Sequence, residues 1–184
     1  MISTLSGKIS HIFNDFIILQ VNDVGYQIFL PPIFLSKLKE GDEIKIFTHE
    51  YLREEVHELY GFEKLEDLKI FWKLIEVPGV GPKMAMRIMN LGTKKITEAI
   101  TNGEIAILSS VSGIGKKTAQ KIILELKGVL IESEKNTKES DEIIEALVKL
   151  GYSRKEALTA VENLPENLKT TEEKLKMALR NLGK

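Results

Sequence analysis

A self-match at an offset of 34 residues constrains this 184-residue chain more than any other feature. Val77-Pro78-Gly79-Val80-Gly81-Pro82-Lys83-Met84-Ala85 aligns with Val111-Ser112-Gly113-Ile114-Gly115-Lys116-Lys117-Thr118-Ala119, and Arg87 then falls on Lys121. Apolar residues at helical spacing flank both copies, so each unit reads as helix, tight Gly-x-Gly turn, helix. Glycine accepts backbone angles that other residues avoid, and it puts no side chain between main-chain amides and a ligand. The second helix of each unit then begins with its N–H groups uncovered. Pro82 suits a first helical position, where a missing N–H costs nothing. Uncovered amides and the helix dipole attract anions, and Lys83 and Lys117 add a full charge two residues past the second glycine. The expected ligand is phosphate. One copy alone would be an ordinary helical hairpin turning on glycine, but two copies with Lys at the same place favour the phosphate reading. Paired hairpins related by a pseudo-twofold axis can grip both backbones of one duplex, and main-chain amides cannot read base edges, so such binding ignores sequence.

Other glycine-rich readings fit less well. A Walker loop needs Gly, four residues, then Gly-Lys-Ser/Thr, whereas Gly115-Lys116 is followed by Lys117 and the earlier glycine position holds Ser110. A dinucleotide fingerprint needs a third glycine and a preceding strand, and neither copy has them. Charge supports the nucleic-acid reading once it is divided along the chain. The net value is -1, but residues 63–130 carry eleven Lys and Arg against seven Asp and Glu, for +4, while residues 1–62 stand at -4 and residues 131–184 at -1.

The N-terminal 62 residues read as strands with period-two alternation. One lies around Ile9, Ile12 and Phe13, followed by Phe16 to Val21, a turn at Asn22-Asp23-Val24-Gly25, and Tyr26 to Leu30. A short helix over Ile33 to Lys39 follows Pro31-Pro32, and two more strands run near Glu43 to Tyr51 and Val56 to Tyr60. The order β-β-β-α-β-β suggests a small closed barrel of the oligonucleotide-binding type, which abolishes sheet edges. After Gly61 the period changes, and Leu65, Leu68, Phe71, Trp72 and Ile75 are expected to share the buried face of a helix. Residues 131–140, with the polar run Lys135 to Ser140, read as a flexible linker. Three short helices are expected beyond it, near Asp141 to Leu150, Ser153 to Leu164 and Thr171 to Leu182, with Ser153 and Glu156 forming a capping box. The fold class is therefore α+β and multidomain: an N-terminal five-stranded OB-type β-barrel (1–62), a central all-α double helix-hairpin-helix domain (63–130), the linker (131–140) and a C-terminal three-helix bundle (141–184).

Catalysis has few candidates. Helix-hairpin-helix glycosylases place a catalytic Asp downstream of the hairpin, and no Asp lies between Asp67 and Asp141. Glu50, Glu54, Glu55 and Glu58 form the single acidic cluster a metal-dependent nuclease could use, but carboxylates on a hairpin tip are more often a solvated turn. His49 and His57 are expected to face each other across that hairpin, as a cross-strand contact rather than a zinc pair. The chain has no cysteine. Its N-terminus lacks a basic leader and a long apolar stretch, and no apolar run approaches the ~20 residues of a membrane span. A cytoplasmic address without membrane contact is expected.

The double helix-hairpin-helix, Leu59-Tyr60-Gly61-Phe62 closing the barrel, the Arg53-Glu54-Glu55 turn before it and Leu150-Gly151-Tyr152 together resemble the RuvA family of bacterial Holliday junction branch migration subunits, over essentially the whole chain and in the same order. The resemblance implies a homotetramer, or two tetramers per junction, that holds a four-way junction open during recombination and DNA repair. It implies that residues 141–184 recruit the hexameric ATPase RuvB, with the RuvC resolvase as a further partner. Phosphates would lie on Gly79, Gly81, Lys83, Arg87, Gly113, Gly115, Lys116, Lys117 and Lys121, and Glu54 and Glu55 would form an acidic pin at the crossover. Catalytic residues, a cofactor and a metal site are not expected, since ATP hydrolysis would belong to RuvB. The chain departs from the family at Ser112, where proline is frequent, and in its short linker. The alternative is a general duplex-binding repair scaffold without junction preference.

Overall fold

The computed structural model describes residues 1–54, 56–165, 168 and 170–183, with the backbone alone for 133–138. The chain divides into two compact units, Met1–Gly128 and Val129–Lys184.

The first unit opens with strands β1 (Thr4–Ile12), β2 (Phe16–Val21) and β3 (Val24–Phe29), a single helical turn α1 (Pro32–Leu35), and strands β4 (Glu43–Arg53) and β5 (Val56–Phe62). The strands close into a barrel in the order β1-β2-β3-β5-β4, with β3 and β5 parallel. Period-two alternation sends Ile9, Ile17, Leu19, Ile28, Leu30 and Ile46 inward as the barrel core. The expected β-β-β-α-β-β order is present, with two local differences. Val21 pairs with Val24, so the β2–β3 turn is the two residues Asn22-Asp23, and Asn22 takes φ 52. Short polar side chains bond locally and so tolerate the left-handed angles a two-residue hairpin needs. The helix expected over Ile33 to Lys39 stops at Leu35: the Lys37 and Leu38 N–H groups turn to the carbonyls three residues back, at 3.0 and 3.1 Å, and the Asp42 carboxylate then takes the Lys39 N–H at 2.8 Å.

Helices α2 (Leu65–Glu76), α3 (Pro82–Met89), α4 (Thr93–Asn102) and α5 (Ile105–Ser109) follow, and α6 (Lys116–Lys149) starts in this unit. The face that α2 buries is Leu68, Ile70, Phe71 and Leu74, while Leu65 and Trp72 are exposed. The expected stripe is therefore rotated. Phe71 seats against Tyr60 and Phe62 of β5, at ring-centre distances of 5.5 and 4.9 Å, and that docking turns Trp72 to the edge.

In the second unit, α7 (Arg154–Glu162) and α8 (Thr171–Leu182) pack on the end of α6 around Ile143, Ile144, Leu147, Ala157, Ala160 and Ala178. Ser153 and Glu156 form the expected capping box, and Thr170 with Glu173 form a second one, which the same Ser/Thr-x-x-Glu spacing marks in the sequence. Glu139 accepts from Lys174 at 2.5 Å and Thr171 at 2.7 Å, joining α6 to α8. The Lys174 bond, and then the Thr171 bond, hold the Glu139 carboxyl below its ordinary value. The segment 131–140, read from its composition as a linker, is helical here, because α6 continues through it. Glu and Lys are good helix formers, and no Gly or Pro interrupts the chain between Gly128 and Gly151. The boundary between the units falls inside α6 at Gly128 and Val129 rather than at a break in secondary structure. Among the described residues no helix is long and apolar enough to cross a membrane.

Close backbone approach makes Gly7 the most demanding position of the barrel. A Cβ there would lie 2.2 Å from the Gln20 carbonyl oxygen, which is fixed in β2. Gly7→Ala is expected to lower stability by about 1–3 kcal/mol through overpacking. Gly128→Ala, where a Cβ meets nothing within 4 Å, is expected to raise it by roughly 0.5–1 kcal/mol. Urea denaturation of both variants checks the pair.

Candidate nucleic-acid interface

Both repeat copies fold into the same turn. Val80 N–H donates to the Val77 carbonyl at 2.9 Å, and Ile114 N–H to that of Val111 at 3.0 Å. Gly79 and Gly113 take φ +93 and +86, which L side chains rarely adopt. Val77, Val80 and Ile114 are buried and anchor the turns from beneath. The helices that follow begin identically, Ala85 donating to the Gly81 carbonyl at 2.9 Å and Ala119 to that of Gly115 at 3.0 Å. Gly81 caps α3 without a side chain, and Pro82 occupies its first turn. A Cβ at Gly79, Gly81 or Gly115 would meet nothing within 4 Å, so these turns face open space. Among the described residues, the N–H groups of Lys83, Met84, Lys117 and Thr118 find no protein acceptor. Two helix N-termini thus present bare amides, an arrangement that accepts anionic oxygens.

The cations around the two turns are not equivalent. Lys116, Lys117 and Lys121 are exposed, and among the described residues none of the three has an ion-pair partner. Lys83, also exposed, lies with its Nζ 3.2 Å from Glu58 Oε1 on β5. Arg87 Nη1 donates to the Ser112 carbonyl at 3.5 Å, so the first hairpin reaches the turn of the second. That bridge escapes sequence reasoning, because the repeat aligns Arg87 with Lys121 and says nothing of contacts between copies.

The β4–β5 hairpin lies beside the first of these turns. Arg53 pairs with Val56, which puts Glu54, exposed, at the tip, with the Arg53 guanidinium 5.2 Å from the Tyr51 ring centre. Glu55 lies outside the described residues. A groove of about 490 Å³ separates this hairpin from the first glycine turn, with Arg53, Glu58, Lys83 and Arg87 on its walls.

Of the candidate acidic cluster, Glu50 and Glu58 do not converge. Glu50 lies opposite Leu59, and Glu58 opposite Tyr51, so the two carboxylates project from opposite faces of the ribbon. Glu50 accepts from His57 Nε2 at 2.9 Å and from the Ile2 N–H at 3.0 Å. Those bonds, His57 first, hold its carboxyl below the ordinary value. The expected pairing of His49 with His57 fails for the same reason of register: His49 lies opposite Tyr60 and His57 opposite Leu52, on opposite faces. His49 Nδ1 instead accepts the Trp72 indole N–H at 3.2 Å beside the Phe71 ring, and burial lowers its pKa from 6.5. Among the described residues no group of three His, Asp or Glu converges as a metal site requires.

Three family descriptions match consecutive parts of the chain: RuvA N terminal domain over residues 1–61, SAM-like helix-hairpin-helix tandem over 71–127, and RuvA C-terminal domain over 138–183. Full-length similarity extends to proteins named Holliday junction branch migration complex subunit RuvA. The chain is 39% identical to that of Alkaliphilus oremlandii, with all of both chains covered. It is 40% identical to that of Rickettsia felis over 98% of each chain, and 36% identical to that of Anoxybacillus flavithermus over the whole of both.

His49 makes the contact between barrel and α2 sensitive to pH. Its folded pKa lies below 6.5, so the neutral ring contributes stability that is full above that value and is lost as pH falls through the folded pKa. The Glu50 contribution follows the same sign at lower pH, being lost only below 4.5. Wild type is therefore expected to lose more thermal stability between pH 7.5 and 5.5 than His49→Gln, which keeps an acceptor for the indole and does not titrate. Melting curves across that range read the difference.

Proposed function

This chain belongs to the RuvA family, and on that premise we propose that it is the non-catalytic, junction-binding subunit of a branch migration complex. It binds four-way Holliday junction DNA and serves the migration of the branch point. The observation that carries this reading is the pair of glycine turns, each opening a helix whose first amides have no protein acceptor. Two such turns on one rigidly built unit engage two phosphate runs without reading bases.

The finer assignments follow from the same reading. Gly79, Gly81, Lys83, Arg87, Gly113, Gly115, Lys116, Lys117 and Lys121 contact phosphates, through amides at the glycines and charge at the basic residues. Four copies, each offering two hairpins, match a four-armed substrate, and a second tetramer can cover the opposite face. Glu54 and Glu55 act by repulsion at the crossover. At ~6 Å and an effective dielectric near ~20, a carboxylate and a phosphate repel by roughly 3 kcal/mol before screening. That is enough to bias where a strand lies. Residues 1–62 and 63–130 then form the DNA-binding body, 131–140 the connection, and 141–184 the module that recruits the RuvB motor, with RuvC as a further partner. The setting is the cytoplasm, in recombination and DNA repair.

Binding to a four-way junction and to linear duplex of equal length tests the central reading. A marked preference for the junction is expected, and equal affinity would assign the chain to general duplex binding. Lys117→Ala is expected to weaken both complexes irrespective of base sequence and to flatten the salt dependence by ~0.9 for each phosphate that is no longer neutralised. The double variant Glu54→Gln/Glu55→Gln is expected to bind plain duplex more tightly, with a smaller junction-to-duplex affinity ratio. An unchanged ratio and an unchanged migration rate would overturn the pin assignment.

A further inference from the structure

We infer that Glu58 is an intramolecular counterion that masks Lys83 when DNA is absent, so that the two hairpins take up phosphate unequally. The inference rests on the reading that Lys83 contacts phosphate. Glu58 Oε1 lies 3.2 Å from Lys83 Nζ, and the pair is lopsided: the Lys83 side chain is 75% exposed, that of Glu58 only 17%. The carboxylate is held from behind as well, since its other oxygen accepts the Tyr60 hydroxyl at 2.5 Å. Tyr60 is itself fixed, 2% exposed and packed on Phe71 and Phe29. Burial, and then the Glu58 bond, hold the Tyr60 hydroxyl in its protonated donor form. The mask is therefore built into β5, while the lysine it covers is free to swing away. Arg53 and Arg87 line the same groove, and neither forms an ion pair with Glu58.

At the equivalent place in the second hairpin, Lys117 has no ion-pair partner among the described residues. A phosphate arriving at Lys117 displaces only solvent ions. A phosphate arriving at Lys83 must break an existing pair and leaves Glu58 uncompensated in the groove, where a cation from solution replaces the lysine. The first exchange releases a counterion and the second releases none on balance, so the first hairpin adds less affinity and less salt dependence than the second. Glu58 thus lowers attachment to any duplex and makes the second hairpin the leading contact.

Fluorescence anisotropy with a linear duplex and with a four-way junction, over a salt series, tests this on wild type, Glu58→Gln, Lys83→Ala and the double variant. Gln keeps an oxygen for Tyr60 and removes only the charge. Glu58→Gln is expected to tighten binding by about two- to fivefold at low salt, the range of a partly exposed ion pair. It should also steepen the salt dependence by up to ~0.9 per first hairpin engaged. Neither change should occur in the Lys83→Ala background. An equal gain there would assign the effect to plain repulsion of DNA and overturn the pairing. Weaker or unchanged binding by Glu58→Gln, while Lys83→Ala alone weakens binding, would also overturn it, since Glu58 would then be positioning the lysine. Unchanged binding by Lys83→Ala alone would instead defeat the phosphate reading of that hairpin. Glu58→Ala, which gives up the Tyr60 bond too, should shift affinity in the same direction, and thermal melts of each variant separate charge effects from loss of folding.

Discussion

The seat of Phe71 on the outer face of β5 is the contact on which the first unit depends. Phe71 is fully buried, and its ring lies between Tyr60 and Phe62, two residues that alternation places on the same face of the strand. Leu59 is a member of the barrel core and Gly61 abuts Ile28 and Leu30, so one strand serves two interiors at once. The aromatic series runs on from Tyr60 to Phe29, Phe16 and Phe13 at ring-centre distances of 5.6, 5.8 and 4.4 Å. Pairs of this kind contribute ~0.5–1.5 kcal/mol each beyond burial. Because Glu58 precedes Tyr60 by two residues, the same alternation carries its carboxylate to the hairpin side. The docking of one phenylalanine thereby places an acid beside Lys83, the cation that follows the first glycine turn.

Repetition in sequence does not make the two hairpins electrostatically alike. Their turns share the positive φ of the first glycine, the return bond within the turn and the bare amides of the next helix. What surrounds them differs, because Lys83 beside the first turn is paired with Glu58 of the barrel, while Lys117 beside the second has no ion-pair partner among the described residues. Arg87 reaches from the first hairpin to the Ser112 carbonyl, so the pair is also tied together by a residue that the repeat presents as a mere copy of Lys121. An acidic barrel segment at -4 beside a hairpin segment at +4 makes the hairpin side the more attractive to a polyanion, a coarse form of the discrimination inferred for Glu58 at one lysine.

Local rules account for the part of this structure that is legible along the chain. The glycine turns, the helix start at Pro82, the Ser153–Glu156 capping box and the β-β-β-α-β-β succession of elements all follow from backbone angles and from spacings of two to four residues, which neighbours along the chain decide. Tertiary structure alone decided which faces meet. The separation of Glu50 from Glu58, and of His49 from His57, turns on a hairpin register in which a one-residue slip moves every side chain to the other face. The stripe of α2 turned on where Phe71 found its aromatic partners, and composition could not show that Trp72 would be left to bond His49. Residues 131–140 mark the same division: their polarity says that nothing need bury them, but polarity does not stop a helix in the absence of Gly and Pro. The chain therefore wrote its two glycine turns into local spacing, while the acid that pairs with Lys83 came into range only when β5 and α3 were brought together.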